Sequence, residues 1–196
     1  MRFGETTLPN WVSAICAVLL LTGLGTGVNA VTSSGSRKTH TKPQPPPPAS
    51  PVLLDSAGPT GTKPGSNTNL ASGLAVISGA PFPHSVRQLY SANCCGDNQS
   101  ATYAIPEGYT RFQASIGLET GNGYDASGSL AITFEVDLGG RDNRAYVQQM
   151  TYGEPARRVN LDVSGQSAIV LQTQTDATNC FTCSADAAWG DAKLIP

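Results

Sequence analysis

The feature that most constrains this chain is a period-two alternation of apolar and polar residues that recurs between residues 111 and 175. Phe112, Ala114, Ile116 and Leu118 alternate with Arg111, Gln113 and Ser115. Leu130, Ile132, Phe134, Val136 and Leu138 alternate with Ala131, Thr133, Glu135 and Asp137, and Val159, Leu161 and Val163 alternate with Asn160 and Asp162. Successive side chains of a strand point to opposite faces, so each segment has one face for a core and one for water. Ser164-Gly165-Gln166 reads as a turn that pairs the last of these strands with 168–175 in a hairpin. Weaker strands are expected at 74–78, 86–91, 101–105, 145–150 and 187–195. About nine short strands divided by Gly121-Asn122-Gly123, Gly139-Gly140 and Tyr152-Gly153-Glu154-Pro155, with no amphipathic helix, predict an all-β antiparallel sandwich.

The alternation starts late. Residues 11–31, WVSAICAVLLLTGLGTGVNAV, carry no charge and follow Met1-Arg2. Val28-Asn29-Ala30 supplies the small residues of a cleavage site, so 1–31 reads as a signal peptide. A stretch of about 21 residues would also span a bilayer, which leaves an uncleaved anchor as the alternative and the only membrane contact. Either way the folded part is expected to be secreted or anchored at the cell surface. Residues 32–73 are rich in Ser, Thr, Pro and Gly, with Pro45-Pro46-Pro47-Pro48 favouring an extended polyproline stretch, and read as a disordered linker. The fold is then expected over 74–196. That part holds seven Lys and Arg against twelve Asp and Glu, about −5, which gives no electrostatic footprint for nucleic acid.

Apart from Cys16 in the N-terminal segment, the cysteines are Cys94, Cys95, Cys180 and Cys183. The CxxC at 180–183 precedes a strand, not the helix of a thioredoxin-type site, and the adjacent pair 94/95 has poor zinc spacing. In an oxidising compartment they read as disulfides. Bonds between the 94/95 pair and the 180/183 pair would each close about 90 residues, about 4 to 5 kcal/mol in the chain-entropy model. A Cys180–Cys183 ring with a vicinal Cys94–Cys95 bond is the alternative connectivity.

No catalytic set can be assembled. His84 beside Ser85 has no matching acid in sequence, and His40 lies in the linker. Glu119, Asp125, Glu135 and Asp137 could be paired as glycosidase carboxylates, but Glu135 and Asp137 are expected as solvent-face charges of one strand. No metal or cofactor is implied. Trp189 is expected as a core residue with Phe112 and Phe134. Tyr124 with Asp125, in the long loop between two strong strands, forms the candidate recognition pair, since an aromatic face stacks on a sugar while a carboxylate accepts from its hydroxyls. Tyr146, Tyr152 and Arg144 could extend that surface, with Arg87 a further donor; a solvated loop and solvated strand arginines are the bland alternatives.

PFPHSV (81–86), YTRFQASIGL (109–118), LAITFEVDLGG (130–140), VNLDVSGQSAIVLQ (159–172) and AAWGDAKL (187–194) resemble, in order, the blocks of the NPCBM family, the novel putative carbohydrate-binding module. The resemblance covers 74–196. It implies a galactose-binding-like jelly roll of bacterial extracellular proteins, non-catalytic, with a polysaccharide or other glycan as partner. A protein-interaction or sensor ectodomain on the same sandwich, with no sugar ligand, is the second functional reading. LETGNGYDASGS departs from the family's paired aspartates, keeping Asp125 alone.

Overall fold

The computed structural model describes residues 50–65, 68–90, 97–120, 131–140, 143–175 and 185–196. Among them run β1 (Val52–Leu53), α1 (Leu54–Ala57), β2 (Gly61–Lys63), β3 (Thr68–Ile77), β4 (Ala80–Tyr90), β5 (Asn98–Ala104), β6 (Arg111–Leu118), β7 (Ala131–Leu138), β8 (Arg144–Thr151), β9 (Arg157–Asp162), β10 (Ala168–Thr175) and β11 (Ala185–Ile195). They form two antiparallel sheets. The first has the order β3-β4-β11-β6-β9, with β1 added beside β11, and the second has the order β2-β5-β10-β7-β8.

The alternating strands supply the core between these sheets. Phe112, Ile116 and Leu118 from β6 meet Ile132, Phe134 and Val136 from β7, with Ile169 and Leu171 from β10, all essentially without solvent contact. Trp189 is fully buried, and its ring meets Phe134 of the opposite sheet edge-on at 5.2 Å and 74°. A buried indole N–H needs an acceptor. Trp189 Nε1 donates to Gln88 Oε1 at 2.9 Å, and Gln88 Nε2 donates across the sandwich to the carbonyls of Gln99 and Leu171.

Two expectations are corrected. Residues 168–175 do not form a hairpin with 159–163: β9 pairs with β6 in the first sheet, whereas β10 pairs with β5 and β7 in the second. Gly165 does turn the chain, at φ 72°, but Val163 is buried and its N–H bonds Thr110. The turn therefore carries the chain from one sheet to the other. Nor does the linker extend to residue 73. Val52 pairs with Leu194, Leu54 is fully buried, β2 pairs with β5, and β3 pairs with β4 from Thr68 to Ile77. These segments join the fold mainly through backbone pairing, which a Gly-, Ser- and Thr-rich sequence can supply without a long apolar run. Residues 1–31 and 32–49 lie outside the described residues, and no described helix is long and apolar enough to cross a membrane.

The β3–β4 hairpin positions the site. Ser78 and Gly79 at its tip both have positive φ, 47° and 82°, as a two-residue primed turn requires. Beyond a register shift between Gly73 and Ala75, the tip half crosses the outer face of the first sheet. There Ala75 and Ile77 pack on Ala188, with Phe82 beside them. Two glycines make the crossing sterically feasible. A Cβ at Gly117 would fall on the Ile77 side chain, and one at Gly190 would come within 2.6 Å of the Phe82 ring.

Candidate functional site

The hairpin covers one end of this outer face and leaves the other open. The open part is a cleft of about 320 Å³ lined by Gln113, Ala114 and Ser115 of β6, Arg158, Val159 and Asn160 of β9, and Gly190, Asp191 and Lys193 of β11. Its polar side chains follow from register. Lys193, Gln113 and Asn160 stand in one row across the three strands, and Gly190, Ser115 and Arg158 in the next. Because Phe112 and Ala114 face the core, Gln113 and Ser115 face the cleft. Between Gly190 and Lys193 the register shifts, and Asp191 adopts φ 49°, a left-handed conformation that aspartate tolerates better than most residues. Its Oδ1 accepts the backbone N–H of His84 at 3.2 Å, fixing the carboxylate at the cleft's edge. Asn160 Oδ1 accepts from Arg111 Nε at 3.0 Å. Among the described residues, the side chains of Gln113, Ser115, Arg158 and Lys193 make no hydrogen bond or ion pair.

The covered end of the face is arranged in the opposite way. Arg87 Nε donates to Glu119 Oε2 at 2.9 Å and its Nη2 reaches Asp186 Oδ2 at 3.2 Å. Both carboxylates are less than a tenth exposed. Burial raises the Glu119 carboxyl above its usual range; the bond to and charge of Arg87 oppose this, and Asp186 adds to it. Arg87 is thus not the solvated donor expected from sequence, and Glu119 does not line an accessible cleavage site.

Of the other expected site residues, Tyr146, Tyr152 and Arg144 are described and do not share one surface. Tyr124 and Asp125 lie outside the described residues, as do Cys94, Cys95, Cys180 and Cys183. Tyr146 and Tyr152 pack half-buried against the core, where burial raises the Tyr146 phenol and Arg157 opposes the shift. Arg144 is turned to the other face. A register shift between Val136 and Asp137 separates it from Tyr146, and its Nε donates to Glu135 Oε1 at 2.6 Å. Glu135 and Asp137 are on the outer face of the second sheet as alternation requires, yet both are buried. β7 is a central strand with β10 and β8 on either side, and Arg144 pairs with Glu135 there.

Among the described residues, His84 and Ser85 form no nucleophilic pair either. Ser85 is buried and donates to the Phe82 carbonyl at 2.9 Å, whereas the half-exposed His84 places Nδ1 3.2 Å from Asp55 Oδ2. Among the described residues, no three His, Cys, Asp or Glu side chains are grouped as metal ligands. The lining of the open cleft escaped the sequence reading. Gln113, Ser115 and Asn160 were legible as wet-face residues, but their convergence with Lys193 depends on pairing between strands far apart in sequence.

Residues 96–195 match the family model described as the NPCBM/NEW2 domain. No curated protein matches the sequence. Among solved structures, the CBM51-2 and INT domains of Clostridium perfringens ZmpB in complex with GlcNAc are similar at TM-score 0.54 and 18% identity, over 74% of this chain and 31% of that one. This chain therefore spans about a third of that structure. The CBM51 of C. perfringens GH95 in complex with methyl-galactose is similar at TM-score 0.52 and 15% identity, over 74% of this chain and 100% of that one. The tandem CBM51 modules of the Streptococcus pneumoniae Sp3GH98 are similar at TM-score 0.50 and 13% identity, over 74% and 46%. The shared feature at these identities is the sandwich fold.

Proposed function

The chain belongs to the NPCBM/NEW2 family, and on that premise we propose that it is a non-catalytic, extracellular carbohydrate-binding module. The observation that carries the reading is the open cleft. It offers an amide, a hydroxyl and two cationic groups with uncommitted hydrogen-bonding capacity, on a sheet whose reverse side is the packed core. Such a surface suits a ligand covered with hydroxyls, because each hydroxyl can both donate and accept. Similar sandwiches have been solved with GlcNAc and with methyl-galactose, which supports the same ligand class here. The test is retention of the full chain on a glycan array. Saturable binding competed by free saccharide and weakened in Gln113→Ala is expected; absence of binding to every glycan, with a surface protein copurifying, would overturn the reading.

Export and disulfide bonding are part of the proposal. Tyr90 pairs with Ala185, and the Thr175 N–H donates to the Asp97 carbonyl at 2.9 Å, so the described residues that flank 91–96 and 176–184 are adjacent at both ends. Cys94 and Cys95 belong to one segment and Cys180 and Cys183 to the other, which supports bonds between the pairs. Non-reducing peptide mapping of the exported protein should recover a fragment joining the two cysteine pairs. Four free thiols would contradict it.

A further inference from the structure

We propose that the open cleft selects an acidic saccharide, with a sugar carboxylate held between Arg158 and Lys193. The inference rests on the carbohydrate-binding reading and specifies its ligand. The cleft has no aromatic side chain among its lining residues, so it lacks the stacking face that a neutral pyranose commonly uses. Its recognition must come from polar groups, and these are biased towards donation. Arg158 and Lys193 can only donate, Gln113 and Ser115 can do so, and none of the four has a partner among the described residues. Asp191 is the one acid in the lining, and its Oδ1 is already engaged by the His84 N–H. Two cations against one carboxylate leave the cleft at +1 within a folded part of about −5. Arg111, one row further along the sheet, points its Nε at Asn160 and holds that amide's oxygen, leaving the amide nitrogen as a further donor.

The spacing fits a chain lying across the strands. Arg158 and Lys193 stand on β9 and β11 with β6 between them and one row apart, so their backbones flank the cleft diagonally at about 12 Å, given about 4.8 Å between paired strands and about 3.4 Å per residue. Gln113 and Ser115 lie between them, placed to take hydroxyls. Arginine's planar fork matches a carboxylate in two parallel bonds, and such charge-assisted bonds are the strongest a half-exposed cleft can offer.

The test compares binding of an oligogalacturonate and of its carboxyl-reduced, neutral counterpart to the full chain by titration calorimetry at low and at physiological salt. Tighter binding of the oligogalacturonate is expected, weakening with salt. Arg158→Gln and Lys193→Gln should each lower that affinity about tenfold, the value of one charge-assisted bond, without changing the melting temperature. Lys63→Gln, on the exposed edge strand β2 of the other sheet, should leave it unchanged. If the neutral counterpart binds as tightly, or if all three variants lose affinity equally, acidic selection by this cleft is overturned while the module reading stands. If no saccharide on the array or in the titration binds, both are overturned.

Discussion

The two ends of the first sheet's outer face are built from the same strands, β6 and β11, and handle polar groups in opposite ways. At the covered end, Arg87, Glu119 and Asp186 satisfy one another beneath the β3–β4 hairpin, and Ile77 and Ala75 exclude water from Ala188. At the open end, Gln113, Ser115, Arg158 and Lys193 lie in a cleft with no partner among the described residues. The difference teaches where function can reside. A buried charge must be paired within the protein, so the covered end contributes to structure. A solvated group can exchange water for a ligand at little cost to the fold, so the open end is free to bind.

That comparison is broken most severely by removing the segments that precede the hairpin's tip. A chain beginning at Leu74 loses β1, β2, the buried Leu54 and half of β3, and we expect no cooperative thermal unfolding transition from it. A transition matching the full chain would mean that residues 50–73 only decorate the sandwich. Next in size are side-chain changes at the covered end. Ile77→Ala should cost about 2 to 5 kcal/mol, because the residue is fully buried. Arg87→Met, which leaves two buried carboxylates facing each other, should cost about 3 kcal/mol. At the open end Gln113→Ala and Arg158→Gln should stay within about 0.5 kcal/mol in urea denaturation. Equal costs at the two ends would remove the distinction.

How much of this was legible follows from the same contrast. Strict alternation placed β6, β7 and β9, and with them Phe112, Phe134 and which side of each strand faces away from the core, because that imprint is left directly on sequence. β3 left only its tip, the weak strand expected at 74–78, and almost nothing over 68–73. Its pairing is made by backbone groups, and its apolar tip, Ala75 to Ile77, buries against the outer face, not the main core. Gly117 and Gly190 were visible as motif residues, but their reason, the approach of Ile77 and Phe82, needs the hairpin in place. The Arg87 cluster joins β4, β11 and the end of β6, and the cleft joins β6, β9 and β11. Alternation says which side of a strand faces out; register alone says which outward residues meet.

A smaller effect concerns pH. Burial raises the Glu119 carboxyl, so the folded protein binds that proton more tightly than the unfolded chain does. The group's contribution to stability is therefore fully present below the ordinary carboxylate pKa and is lost as pH rises through the raised value. Urea midpoints measured upward from about pH 4.5, the ordinary glutamate range, should show this loss, and Glu119→Gln, which keeps an acceptor for Arg87, should flatten it. An unchanged slope in that variant would assign the pH dependence elsewhere.

The central claim, that the open end of this face is where ligand binds, is tested most directly by backbone amide chemical shifts recorded while the full chain is titrated with oligogalacturonate. The account predicts saturable shifts at Gln113, Ser115, Arg158, Asn160 and Lys193, with Arg87, Glu119 and Asp186 unmoved. Shifts confined to segments 91–96, 121–130 and 176–184, with the cleft residues silent, would contradict it and return the site to the loop that carries Tyr124 and Asp125.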